Sequence, residues 1–317
     1  MALVAGASRG LGLLVASELV DRGYRVHGCA RDRDELDRAE ELIGTRACGS
    51  FVGDVCDVTD AEAVAAWVDE VHSREGAIDV AIHVAGIIQV GPVEAATLGH
   101  FRAAVDTMLM GPVHLSLAVL PTMLAEGSGR IGVVSSVGGV VSVPHLLPYS
   151  VAKFGAVALS EGLQSELSGT GVTATTIVPG LMRTGGHRNA QFIGDAPKDY
   201  AWFAPGASLP LLSISAESAA RRIVDGVLAG RSQVELTPLT WVGRRVHGLL
   251  PGTTSRVLGW VARALPTVDS SGPDLRSLDT AHVGGSQARQ ALGSRVVDAL
   301  SVLGERAARR LNETSSR

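Results

Sequence analysis

Short apolar runs alternate with amphipathic stretches along the first three quarters of the chain. The runs ALVA, YRVHGCA, SFVGDV, VAIHVA, IGVVSS, VTATTIV and QVEL are mostly continuous in hydrophobicity. That is the pattern of strands buried on both faces of a parallel sheet. Between them Leu11–Arg22, Asp34–Ile43, Asp60–Arg74, Phe101–Leu120, Tyr149–Leu167 and Ala216–Leu228 carry helical periodicity. Thr59 with Glu62 forms a capping-box signature at the start of the third helix. Strand–helix alternation with right-handed crossovers predicts an α/β fold: one doubly wound sheet of about seven parallel strands, with helices on both faces.

After Thr237 the alternation stops, so the chain is expected to divide into a catalytic domain over 1–237 and a helical extension over 238–317. Trp241–Leu265 is apolar with interspersed arginines. A polar linker follows near 266–286. Gln287–Leu311 then reads as one helix with a stripe of Leu292, Val296, Leu300, Leu303, Ala307 and Leu311. The apolar part of the tail is expected to dock on its own chain as a lid, ahead of a membrane surface or a partner.

Composition narrows the field. The 317 residues are 46% hydrophobic and include 38 glycines, which suits a globular fold rich in tight turns. The net charge of −4 gives no basic balance for nucleic acid. Cys29, Cys48 and Cys56 show no metal spacing, and the histidines are scattered, so no metal site is expected. Reduced, mostly buried thiols fit a cytoplasmic protein. The apolar first residues are interrupted by Arg9 and Glu18 and lack a basic leader, so they do not read as a signal peptide.

VAGASRGLG joins the first strand to the first helix, with Gly6, Gly10 and Gly12 in a G-x-x-x-G-x-G spacing. Glycine permits the tight turn and lets backbone approach a pyrophosphate, which the helix N-terminus then attracts. Ser8 and Leu11 belong to the same turn. A ribose without a 2′-phosphate is usually met by an acid at the end of the second strand. Here Ala30 holds that place, Arg31 follows it, and Arg9 lies in the turn. Two guanidiniums and no carboxylate suit NADP(H) over NAD(H), although Asp32 is close enough to shift the register.

Tyr149 and Lys153 stand four apart on a predicted helix, so they share a face. A nearby cation favours a phenolate and lowers the tyrosine pKa toward neutrality. Such a pair can protonate an alkoxide as it forms.

With GASRGLG, DVTD at Asp57–Asp60, VAG at Val84–Gly86, the serines Ser135 and Ser136, YSVAK at Tyr149–Lys153 and PGLMRT at Pro179–Thr184, the chain resembles the short-chain dehydrogenase/reductase family over about Met1 to Thr237. The resemblance implies a Rossmann-type domain that binds NADP(H) and reduces a ketone or aldehyde, or oxidises the matching secondary alcohol. It implies Tyr149 as acid/base, Lys153 on the nicotinamide ribose, and Ser136 on the substrate oxygen. Asp57 and Val58 would meet adenine, Ala85 and Gly86 the adenosine ribose. Pro179, Gly180, Met182 and Thr184 would pass the carboxamide. A homodimer or tetramer through the helices at Phe101–Leu120 and Tyr149–Leu167 is also implied.

The chain departs from the family pattern at three places. Ala5 replaces a threonine, and His83 with Val84 replaces two asparagines. Met108 stands where an asparagine usually orients a proton-relay water, which methionine cannot do. His83 is expected to be a hydrogen-bonded core residue, and His145 a solvated loop residue. Val137–Leu147 and Gly185–Leu212 are expected to line an apolar pocket through Phe192, Trp202, Phe203 and Leu209. Only Arg183, His187 and Arg188 there could meet a charged substrate. Two other readings remain: a cofactor-binding sensor or scaffold with little catalysis, motivated by Met108 and the tail, and an NAD-dependent alcohol dehydrogenase.

Overall fold

The computed structural model describes residues 1–44, 49–206, 208, 213–268 and 273–313. Cys48 and Leu209 lie outside them. Seven strands form one parallel sheet: β1 (Ala2–Ala5), β2 (Arg25–Ala30), β3 (Ser50–Val55), β4 (Val80–His83), β5 (Gly129–Val134), β6 (Val172–Val178) and β7 (Gln233–Glu235). Their spatial order is β7-β6-β5-β4-β1-β2-β3. The order reverses between β1 and β4, the point where a doubly wound sheet opens a crevice for a ligand. Neighbouring strands run parallel, with Val4 beside Gly28 on one side and Ile82 on the other.

Helices α1 (Gly10–Asp21), α2 (Arg33–Gly44), α3 (Ala61–Glu75), α4 (Leu98–Val105), α5 (Gly111–Glu126), α6 (Leu147–Glu166), α7 (Ala196–Gly206) and α8 (Ala216–Leu228) cover the sheet or its carboxyl edge. Two apolar layers result. Val4, Leu19, Ile82, Ile177 and Ile223 centre one, and Leu3, Trp67, Leu115, Ile131 and Ala174 centre the other. Helix α3 is capped by Asp60, whose carboxylate accepts from Glu62 and Ala63 N–H at 3.0 Å, and not by Thr59. The true capping box is Thr97 with His100 at the start of α4. The stretch Leu98–Glu126 is long and apolar enough to cross a bilayer. It packs instead against α3, α6 and β4 as a helix of the core.

The extension is two structures. Helices α9 (Pro238–Leu249) and α10 (Pro251–Ala262) form a hairpin in which no α10 residue is buried. Leu258 is its inward contact, against Val140, Val141 and Val178. The linker is pinned to the start of α4, where Leu98 N–H donates to the Leu275 carbonyl at 2.9 Å and Gly99 N–H to Ser277 at 3.0 Å. The single helix expected over Gln287–Leu311 is broken at Gly293, whose φ of +57° is left-handed. It becomes α11 (Gly285–Leu292) and α12 (Arg295–Arg310). Val296, Leu300 and Leu303 of the expected stripe face solvent. Leu292, Ala307 and Leu311 of the stripe pack inward as expected, joined by Ser301, Gly304, Glu305 and Ala308.

Candidate active site

The carboxyl ends of β1, β4 and β5 converge on one crevice. At β1 the chain turns through Gly6, whose φ is +87° and where a Cβ would meet the Ala85 backbone at 2.6 Å. A Cβ on Gly12 would overlap the Gly6 carbonyl. These positions therefore need glycine for close backbone approach; Ala85 is brought against the turn, and Gly86 lies beside Met108 and Lys153. Ser8 and Leu11 are buried at the same place.

Arg9 is not a free cation. Its guanidinium pairs with Glu35 at 2.8 Å, and Glu35 also accepts from the Ser8 hydroxyl at 2.9 Å. This carboxylate comes from α2, whereas the sequence pattern points to an acid only at the end of β2. Arg31 is exposed beside the half-buried Ala30. Asp57 accepts from the Thr59 N–H and hydroxyl at 3.0 and 2.9 Å, and Val58 is buried with Cys56 and Trp67 in the core.

At β5 the chain turns through Ser135 and Ser136 into α6. Ser135 donates to the Lys153 carbonyl at 2.8 Å, tying the loop to the helix. Ser136 caps the following turn by accepting from Gly138 N–H at 3.1 Å, which sets its hydroxyl near the Tyr149 ring. A Cβ on Gly138 would touch the Tyr149 ring at 3.0 Å. Lys153 is buried, its Nζ 5.8 Å from the Tyr149 ring centroid, and it donates to the Val134 carbonyl at 2.7 Å. The three side chains thus converge at the crevice.

The electrostatics differ from simple expectation. Burial pushes the Tyr149 phenol above its ordinary range, and the Ser136 hydroxyl opposes that rise. Burial also lowers Lys153 to about 7. Lys153 therefore titrates near neutrality, with the Val134 carbonyl as its hydrogen-bond partner among the described residues.

Met108 lies in a π-helical turn, Asp106–Met110, between α4 and α5. The helix break persists without the asparagine. The thioether packs with Ala104 and Ala152 beside Tyr149, and a Cβ on Gly86 would sit 3.3 Å from its sulfur. His83 is a core residue, as expected, but its ring is bonded only in part. Its Nε2 is buried with no hydrogen-bond partner among the described residues, and desolvation followed by the Lys153 charge lowers its pKa to about 3. The neutral ring faces Gly111, where a side chain would strike it.

The segments expected to line a substrate pocket pack together as an aromatic cluster. Phe192, Tyr200 and Phe203 are buried in a cluster with Val90, Leu146 and Ala190, and Trp202 and Tyr149 pack on its edge. His145 is not solvated. It holds a left-handed φ of +62°, bonds the fully buried Asp199 at 3.0 Å and stands edge-on to Trp202. The nearby cations are also engaged by the chain itself: Arg183 with Ser213 at 3.0 Å, His187 with Glu305 at 3.0 Å and Arg188 with Glu305 at 3.3 Å. Pro179 accepts from Val137 N–H at 2.8 Å. Gly180 abuts Thr237, Met182 reaches the core, and Thr184 accepts from Gly186 N–H at 3.2 Å. Among the described residues, no group of His, Cys, Asp and Glu is arranged to hold a metal.

A doubly wound sheet, a glycine turn at its switch point and a Ser–Tyr–Lys cluster define a class of dinucleotide-dependent oxidoreductases. The short chain dehydrogenase family profile matches residues 1–191, and the chain belongs to that family. It is 35% identical over 187 residues to the granaticin polyketide synthase putative ketoacyl reductase 1 of Streptomyces violaceoruber, covering 58% of this chain and 68% of that one. A short-chain dehydrogenase from Streptomyces avermitilis superposes with a TM-score of 0.68 at 29% identity, over 83% of this chain and 98% of that one. A variant of the actinorhodin polyketide ketoreductase with NADPH superposes at 0.65 and 27% identity, over 75% and 96%.

Proposed function

We propose that the protein is an NADP(H)-dependent carbonyl reductase acting on an apolar small-molecule ketone or aldehyde, or on the matching secondary alcohol in reverse. The carrying observation is the convergence of Ser136, Tyr149 and Lys153 at the carboxyl end of β5, near the glycine turn. The cleft suits a dinucleotide: Gly6 and Gly12 leave no room for side chains, α1 presents its amino end, and a Cβ on Gly86 would stand 3.8 Å from Lys153 Nζ. Gly6, Ser8, Arg9, Gly10 and Leu11 would hold its phosphates, Asp57 and Val58 its adenine, and Lys153 its nicotinamide ribose. Bound there, it would supply or accept the hydride at the substrate carbon.

The chain's own groups handle the proton. Tyr149, kept protonated by burial, is a hydrogen donor to a carbonyl oxygen at neutral pH. Ser136 orients the phenol and can share the same oxygen. Lys153, near 7, is the adjacent group best matched to passing a proton at neutral pH, and it stands where Met108 supplies no polar atom. The buried aromatic cluster favours an apolar substrate, since the cations nearby are bonded to their own chain.

NADP(H) preference is assigned to Arg31 and Arg9. Glu35 supports the rival NAD(H) reading, because its buried carboxylate neutralises Arg9 and bonds Ser8 where a 2′-phosphate would arrive. The match spans 68% and 65% of the length of two curated relatives, so substrate and cofactor preference rest on the site itself. A cytoplasmic setting and a homo-oligomer through α4, α5 and α6 complete the proposal. The test is Tyr149→Phe, assayed for NADPH oxidation against apolar ketones of graded size. A loss of about 10²–10⁴-fold in turnover with dinucleotide affinity retained is expected. Unchanged turnover would defeat the mechanism. Arg31→Ala should shift affinity toward NADH, and an unmoved ratio would favour the rival cofactor.

A further inference from the structure

Past α12 the chain runs across the glycine turn. Gly10 opens α1, and its N–H is one of those a helix leaves without an intrahelical acceptor. It donates to the Leu311 carbonyl at 2.8 Å. Glu313 is only 7% exposed. Its carboxylate accepts from Asn189 Nδ2 and lies 3.7 Å from Arg9 Nε. A methyl group built on Gly10 would overlap Glu313 Oε1. Asn312 between them takes a left-handed φ of +58°. That conformation is secured by its own side chain, which donates to the Ser8 and Glu35 carbonyls at 2.8 and 3.0 Å and accepts from Arg38 at 2.9 Å.

A carbonyl and a carboxylate at the amino end of a helix stand where phosphate oxygens bind. Resting on the dinucleotide reading above, we propose that Leu311–Glu313 is a built-in competitor of the cofactor pyrophosphate, which must leave before the dinucleotide can seat. Its contacts are to residues of the cofactor turn: Ser8, Arg9 and Gly10. Its anchor is α12, where buried Glu305 bonds His187 and Arg188, and Ala308 fills the space left by Gly185. The segment therefore links the state of the extension to cofactor affinity. Apparent affinity falls by the fraction of molecules in which the site is open. A segment docked in nine of ten molecules would weaken binding about tenfold.

The experiment titrates NADPH and, separately, ADP into the full chain, Glu313→Ala, Asn312→Ala/Glu313→Ala, and a chain ending at Arg310. Each variant's fold is checked by circular dichroism. Both ligands should bind about tenfold more tightly once the segment is removed. NADPH added to the full chain should also make Leu311–Glu313 accessible to carboxypeptidase. Equal or weaker binding by a folded double variant overturns the competitor while leaving the enzyme reading intact. If neither NADPH nor NADH binds any form, the dinucleotide reading fails and the competitor falls with it. Should the shortened chain not fold, the double substitution decides.

Discussion

The two ends of the chain are held together by opposite means. The amino-terminal sheet and α1 are held mainly by apolar packing, with Leu3, Val4, Leu19 and Ile82 fully buried and glycines placed where backbones meet. Helix α12 docks through a small apolar cluster of Ala307 and Leu311 on Ala216 and Leu14, but mostly through Ser301, Glu305 and small residues, and sends Asn312 and Glu313 into the glycine turn. Hydrophobic burial scales with area and survives small rearrangements. A polar interface depends on each bond being made, because an orphaned buried group costs about 1–3 kcal/mol. The first region is therefore built to persist and the second to be exchangeable.

The hardest blow to the sheet side should come from Gly12→Val. The new side chain would overlap the Gly6 carbonyl, so the turn must open. Loss of dinucleotide binding by at least about 100-fold is expected, with a lower melting temperature. Calorimetric titration and a thermal scan check it, and retained affinity would show that the turn tolerates what its geometry forbids. On the tail side, Glu305→Ala removes the partner of His187, Arg188 and Arg289. A cost of about 1–3 kcal/mol is expected, confined to the extension. Hydrogen exchange should show α12 amides losing protection while those of β1 and β4 keep theirs. Equal loss in both would mean the two regions unfold as one.

This contrast also sets what was legible. Buried parallel strands announce themselves by continuous apolar runs, so all seven were readable to within a residue or two. The glycine turn and the Tyr149–Lys153 spacing were readable because local geometry demands those residue types. The tail stripe is legible only in part, because periodicity marks a face without saying how much of it docks: Leu292, Ala307 and Leu311 pack inward. Val296, Leu300 and Leu303 face solvent, and Gly304 and Ala308, whose small size gives no hydrophobic signal, share the contact with Ala307 and Leu311. Glu35 was passed over because its place depends on the rotation of α2, and Asn312 and Glu313 because their partners lie at the far end of the chain. The His145–Asp199 pair joins a loop to α7, and no local pattern links the two.

A smaller effect, in pH, separates two carboxylates of the tail. The His187 bond, aided by Arg188 and Arg289, lowers Glu305. Its contribution is present above its ordinary pKa of 4.5 and is lost as pH falls through the lower folded value. Burial raises Glu313 to about 7, against Arg9, Asn189 and Arg188, while Glu35 adds to the rise. Its contribution is full below its ordinary 4.5 and fades as pH climbs to about 7. Tail protection should therefore decline severalfold between about pH 5 and 7.5 in the native chain, read by carboxypeptidase release and corrected for the enzyme's own profile. Glu313→Gln should flatten that slope. A slope unchanged by the substitution would assign the titration elsewhere.

The smallest effect belongs to the hairpin α9–α10. Leu249 is 81% exposed and Trp260 66%, so neither loses apolar contact when truncated in the isolated chain. Arg245 stacks on Trp241 at 3.9 Å, which gives that ring a partner the other two lack. Leu249→Ser and Trp260→Ser should each change stability by no more than about 0.5 kcal/mol. For a chain of this size that is about 1–2 °C in melting temperature. Trp241→Ser should cost slightly more, through the lost cation–π contact of about 0.5–1 kcal/mol. Thermal scans at low and high protein concentration read all three. A fall of several degrees for Trp260→Ser would mean that the hairpin is covered in solution. It would then belong with the hydrophobic half of the molecule.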